Sequence, residues 1–157
     1  MSIESILRSV TVRCDPERAF RLFTEEMGSW WPVRTHARAV TEFEDEDLKV
    51  ERVEFQTFEG GSVLEHMSNG ETLPWGEVVA WDPPRSFVLA WKPHPRPTPP
   101  TEVEVRFTAQ GQHTIVELEH RAWERLGEDV EEIRAGYSEG WIVTLERFRA
   151  RADELAA

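Results

Sequence analysis

The sequence predicts an α+β domain: a curved antiparallel sheet of about six to seven strands wrapped on one long carboxy-terminal helix, with two short helices after the first strand. Three observations carry that expectation. From Asp129 to Leu155, apolar residues recur at steps of three and four, the stripe of an amphipathic helix. Upstream, runs of alternating apolar and polar residues are separated by short turn sequences, the pattern of a sheet with one dry and one wet face. Near the start, Asp15-Pro16-Glu17 combines a capping residue, a proline suited to the first helical position and an acid for the first turn.

In chain order, Ile3 to Arg13 alternates loosely and ends in β-branched residues, which predicts a strand. The helix begun at Asp15 is expected to bury Ala19, Phe20, Phe23 and Met27, until Gly28 interrupts it and Trp30-Trp31-Pro32 ends it. From Val33 to Asp47 the pattern is weak. The acids Glu42, Glu44, Asp45, Glu46 and Asp47 there suit a solvated loop or hairpin end. Val50 to Phe58 reads as a strand with Val53 and Phe55 on one face. Gly60-Gly61 turns the chain into Ser62–Met67, and Asn69-Gly70 turns it again into Thr72–Trp81. Asp82-Pro83-Pro84-Arg85 leads into Ser86–Lys92, where Phe87, Leu89 and Trp91 share a face.

His94 to Pro100 carries four of the ten prolines, each without a ladder donor, and so is read as a stiff extended loop. Thr101–Thr108 follows with Val103, Val105 and Phe107 inward, and His113–Arg121 with Val116, Leu118 and His120 inward. Short turns between consecutive strands make them antiparallel neighbours. The last helix then covers the dry face with Val130, Ile133, Tyr137, Trp141, Thr144, Leu145, Phe148 and Leu155. Asp129 and Glu132 have the spacing of a capping box. Gly136 and Gly140 lie inside this helix, where each costs about 1 kcal/mol relative to alanine. Two readings of them stand: close packing on the sheet, or room for a ligand between helix and sheet.

Residues 1–157 read as one domain. A formal charge of −12 argues against nucleic acid and anionic membranes as partners. The single cysteine, Cys14, excludes an internal disulfide, and no apolar run reaches the roughly 18 residues of a membrane span. The first residues carry no secretion signal, so a soluble cytoplasmic protein is expected. Phosphate-binding G-x-x-x-x-G-K-[ST], zinc-binding H-E-x-x-H and nucleophile G-x-S-x-G motifs are all absent, so no cofactor and no metal is expected. Seven tryptophans are the one compositional excess, and rings of that size dominate cores and the walls of apolar sites.

Several motifs in order carry a resemblance: Asp15-Pro16-Glu17-Arg18-Ala19-Phe20, Trp30-Trp31-Pro32, Gly60-Gly61 with Glu65, and Trp75-Gly76-Glu77-Val78. Trp81-Asp82-Pro83-Pro84-Arg85, Trp91, Val116-Glu117-Leu118-Glu119-His120 and finally Tyr137, Gly140 and Trp141 complete the set. Together they resemble the helix-grip fold of the START-like (SRPBCC) superfamily, and within it the bacterial relatives of the activator of heat-shock-protein-90 ATPase. That resemblance implies an internal cavity for a hydrophobic or aromatic small molecule. A cyclase- or hydrolase-type enzyme and a chaperone-docking module are the alternatives. The co-chaperone has parts that this chain lacks, and a homodimer is compatible with the sequence.

The candidate residues follow from facing and from the resemblance. His120 points inward with Val116 and Leu118, so it is either a proton-handling or ligand-orienting group or a buried imidazole bonded to backbone. Glu65 and His66 must face oppositely, and the resemblance places Glu65 inward. Near His120 it would complete a catalytic pair; a salt link to Arg13 or Arg106 is the structural alternative. Phe55, Trp75, Trp91, Tyr137 and Trp141 are the expected pocket walls, with Trp30 and Trp31 at the mouth; ordinary core packing is the alternative for each ring.

Overall fold

Seven strands form one antiparallel sheet in the order β1-β7-β6-β5-β4-β3-β2, seen in a computed structural model that describes residues 3–44, 46–94 and 97–156. Asp45 of the acidic run and Pro95 and Arg96 of the proline-rich loop lie outside the described residues. The strands are β1 (Ile6–Val12), β2 (Val50–Phe55), β3 (Ser62–Met67), β4 (Thr72–Asp82), β5 (Ser86–Trp91), β6 (Thr101–Gln110) and β7 (His113–Arg121). Consecutive strands β2 to β7 pair antiparallel, β5 and β6 across the proline-rich loop, and β1 returns to the far side of β7 with Ile6 opposite His120 and Val12 opposite Thr114. Register shifts interrupt the pairings of β2 with β3, β3 with β4 and β4 with β5. Each such irregularity bends its strand and increases local twist, which curls the sheet into a half-barrel. At Gly76 in β4, a Cβ would stand 2.5 Å from the Ala90 carbonyl oxygen, so only glycine permits the close approach of β4 to β5 there.

Helix α1 (Pro16–Phe23) begins as its sequence predicts: Asp15 is extended and its carboxylate accepts from the Arg18 backbone N–H at 2.8 Å. Its buried face holds Ala19, Phe20, Leu22 and Phe23. Met27 is buried too, but from a separate 3₁₀ turn (Met27–Ser29) rather than from α1. The poorly patterned stretch that follows contains a one-turn helix, α2 (Arg38–Thr41). A second 3₁₀ turn (Trp123–Leu126) joins β7 to the long helix α3 (Val130–Ala156).

Helix α3 buries Trp141, Thr144, Leu145, Phe148 and Ala152. Its stripe ends one turn earlier than the spacing predicts, because Leu155 is 42% exposed and Ala152 makes the last buried contact. The capping box is not formed either: Asp129 has φ 64, outside the extended conformation of a capping residue. The chain turns tightly at Gly127 and Asp129 to leave the 3₁₀ turn, and that turn geometry overrides the local cap signal. The remaining strand limits fall within a few residues of those expected.

The dry face of the sheet and the inner face of α3 enclose two groups of rings. One is dominated by phenylalanine, with Phe20 5.0 Å from both Trp81 and Phe107, and Phe23 5.0 Å from Phe148. The other is dominated by tryptophan, with Trp31 4.9 Å from Trp75 and 6.0 Å from Trp141. The wet face of the sheet carries a charge ladder in which Arg121 meets Glu102 and Glu104, and Arg106 meets Glu119. Such half-buried surface pairs contribute on the order of 1 kcal/mol each.

Candidate functional site

At the tryptophan end, the first half of α3 does not close on the sheet. A cavity of about 290 Å³ lies there, at the lower end of the range for small-molecule sites. Its walls are the rings of Trp31, Trp75, Trp91, Tyr137 and Trp141 with Ile133, and Thr35, His36, Arg38 and Glu132 add polar groups.

The two interior glycines of α3 resolve differently. A Cβ at Gly136 would meet no atom within 4 Å, so packing does not demand glycine there, yet the residue lines the cavity. At Gly140 a Cβ would meet the His36 ring at 3.6–3.7 Å, an ordinary contact. The helix therefore forgoes about 1 kcal/mol of propensity at Gly136, an exposed position bordering the cavity.

Most of the indoles around the cavity are held by their N–H groups. Trp31 donates to the His36 carbonyl oxygen at 2.8 Å, Trp75 to Glu65 Oε1 at 2.8 Å, and Trp141 to His120 Nδ1 at 3.0 Å. Trp91 differs: its Nε1–H is buried and has no hydrogen-bond partner among the described residues. A buried unpaired N–H costs about 1–3 kcal/mol.

Glu65 is fully buried, as the resemblance implied. Its Oε1 accepts from Trp75 and from the Arg38 backbone N–H at 2.7 Å, while Oε2 accepts from the Ala39 backbone N–H at 2.7 Å. One carboxylate thus satisfies the first turn of α2 and one cavity wall together, and neither Arg13 nor Arg106 is its partner. This fixes the segment 35–38 over the cavity. His66 faces away and bonds Glu54 at 2.8 Å.

His120 is also fully buried, and both ring nitrogens are engaged. Trp141 Nε1–H donates to Nδ1, so the proton of the neutral ring resides on Nε2. Nε2–H then donates to Thr101 Oγ1 at 2.7 Å, and the Thr101 hydroxyl donates to the Trp91 carbonyl oxygen at 3.2 Å. Every donor in this relay has one acceptor. Burial pushes the imidazole down to about 3, which keeps it neutral. Trp123, absent from the expected set, lies tilted against the His120 ring with centroids 4.0 Å apart and donates its N–H to the His120 carbonyl oxygen.

Of the nine expected site residues, Trp31, Trp75, Trp91, Tyr137 and Trp141 line the cavity; Trp30, Phe55, Glu65 and His120 do not. Trp30 turns into the core, donating to the Leu22 carbonyl oxygen and packing 5.1 Å from Phe148. Phe55 packs against Phe87 at 5.3 Å. Glu65 and His120 are spent on separate partners rather than on each other, because their strands stand apart in the sheet with three strands between β3 and β7. Three contributors were missed. Thr101 was available from strand parity, two residues before Val103 on the same face, and Trp123 from its bulk just after β7. His36 lies in an aperiodic loop and gave no signal.

The family described as Activator of Hsp90 ATPase homolog 1-like protein matches residues 13–153. No curated protein matches the sequence. Among solved structures, the Aha1 dimer from Colwellia psychrerythraea is 15% identical with a TM-score of 0.66, over 96% of this chain and 97% of that one. Protein MLL2253 from Mesorhizobium loti is 17% identical with a TM-score of 0.62, over 94% and 95% of the two chains. An anthrahydroquino-Gama-pyrone synthase, Txn09, is 25% identical with a TM-score of 0.58, over 95% and 97%. Among the described residues no helix is long and apolar enough to cross a membrane, and no group of acidic, histidine and cysteine side chains is placed to hold a metal ion.

Proposed function

This chain belongs to the Activator of Hsp90 ATPase homolog 1-like family, and from that premise we propose that it binds a small hydrophobic or aromatic molecule in the cavity between sheet and α3. The observation that carries the reading is Gly136: a helix-interior glycine with no packing neighbour, facing a cavity walled by four tryptophans. The tethered indoles support it as well, since rings fixed by hydrogen bonds present a preformed apolar slot at low entropic cost. The cavity's size favours a molecule of one or two rings over a long acyl chain.

The test is thermal unfolding with increasing 1-methylnaphthalene. Ligand at a hundred times its dissociation constant is expected to stabilise the native protein by about 2.7 kcal/mol. Gly136→Leu, which places a side chain in the cavity, is expected to lose that response while remaining folded. An unmoved melting temperature for the natural protein at saturating hydrocarbon would end this reading.

Turnover is a second reading, favoured by the synthase among the structural neighbours. Proton transfer by His120 and Glu65 draws less support, because both are saturated with hydrogen bonds and stand outside the cavity lining. Docking on a chaperone rests on the family description alone.

A further inference from the structure

We propose that His36 is the polar anchor of the cavity, a hydrogen-bond acceptor that selects ligands bearing a hydroxyl group, phenols in particular, over hydrocarbons of the same shape. The inference rests on the binding reading above and specifies the class of ligand.

The geometry is that of a held imidazole with one free end. His36 Nδ1 lies 2.6 Å from Thr35 Oγ1, and Thr35 Oγ1 lies 3.4 Å from the Pro32 carbonyl oxygen. In the tautomer we propose, the threonine hydroxyl turns to Pro32 and receives the Nδ1–H of His36. That arrangement leaves Nε2 unprotonated, with its lone pair available. Among the described residues Nε2 has no hydrogen-bond partner, and His36 lines the cavity. The ring edge carrying Nε2 rests beside Gly140, 3.6 Å from where a Cβ there would stand.

Thr144, Arg38 and three of the indoles are engaged elsewhere. Thr144 Oγ1 donates to the Gly140 carbonyl oxygen, and Arg38 bonds Glu42 and the Pro74 carbonyl oxygen. Trp31, Trp75 and Trp141 have their acceptors, and the Trp91 N–H is sealed from solvent. A largely apolar slot with a held imidazole acceptor takes a flat molecule by its rings and orients it by one O–H, while Glu132, which also lines the cavity, is exposed to solvent. His120 makes the contrast plain: one residue along α3, at Trp141, the other histidine has both nitrogens occupied.

The experiment measures dissociation constants calorimetrically for 1-naphthol, 1-methoxynaphthalene and 1-methylnaphthalene with the full chain and with His36→Leu. The natural protein is expected to bind 1-naphthol about tenfold tighter than the other two, the worth of one neutral hydrogen bond. His36→Leu is expected to bring the three together without weakening 1-methylnaphthalene. Thr35→Val keeps the imidazole but removes the group that fixes its tautomer, and is expected to reduce the preference about threefold. A preference that is absent in the natural protein, or that survives both substitutions, overturns the anchor while leaving apolar binding intact. Equal affinity for 1-methoxynaphthalene and 1-naphthol overturns the assignment of Nε2 as acceptor. If none of the three binds, the binding reading fails and this inference fails with it.

Discussion

The space between the curled sheet and α3 is filled at one end by phenylalanines and framed at the other by tryptophans, and only the second end is hollow. Phe20, Phe23, Phe87, Phe107 and Phe148 have no polar atom beyond the backbone, so their rings turn until they interlock at 5.0–6.2 Å. A buried indole, by contrast, carries an N–H that most such rings in proteins deliver to an acceptor. Trp31, Trp75 and Trp141 find theirs at the His36 carbonyl, Glu65 and His120, and each such bond fixes the plane of its ring. Hydrogen bonds thus fix three of the four indoles that frame the open end, and Trp91 is the exception.

The comparison can be broken most forcefully at the solid end. Phe148→Ala is expected to cost about 3–5 kcal/mol in urea unfolding, with the ligand affinity of the surviving folded protein within twofold of natural. A large loss of affinity there would mean that the two ends are not separate. The tryptophan end should instead reveal itself through acid. His120 is held neutral with its folded pKa lowered to about 3, whereas the unfolded chain takes up the proton near 6.5. Its contribution is therefore complete above 6.5 and is lost progressively as pH falls toward 3. Between pH 7 and 5 this amounts to about 2 kcal/mol, read by urea titration at both pH values. The carboxylates with lowered pKa, Glu54, Glu119 and Glu146, act only below about 4.5, so His120→Gln should flatten that window.

A smaller effect has the opposite sign. Gly136→Ala is expected to stabilise the fold by about 1 kcal/mol and to weaken binding of 1-methylnaphthalene, because helix propensity rises where the cavity shrinks. Stabilisation without weaker binding would show that Gly136 borders the cavity without shaping it. The smallest is His36→Leu, expected to shift stability by no more than about 0.5 kcal/mol, since its ring sits at the cavity mouth and anchors no core contact.

Which residues face inward was legible in the sequence. Alternation in β6 and β7 put Val103, Val105, Phe107, Val116, Leu118 and His120 on the dry face, where all are buried. Five of the nine expected site residues line the cavity; strand parity turned Trp91 inward, and helical spacing did the same for Tyr137 and Trp141. The failures share a cause. Leu155 and Asp129 depended on where a helix meets its surroundings, and Glu65 was paired with the wrong residue because its partners, Arg38 and Ala39, lie in a short helix without periodic signal. His36 was overlooked for the same reason.

The residue pattern alone determined the architecture of this protein: the period of two along the strands, the period of three to four along α3, and the turn residues between them. These are local properties, set by which side chains water excludes from each face. Only the tertiary structure decided which rings enclose a cavity and which fill a core, and which histidine is occupied and which is presented. Those outcomes depend on hydrogen bonds between residues distant in sequence, such as Trp141 to His120 and Glu65 to Arg38, and no local pattern encodes a partner that the fold alone brings near.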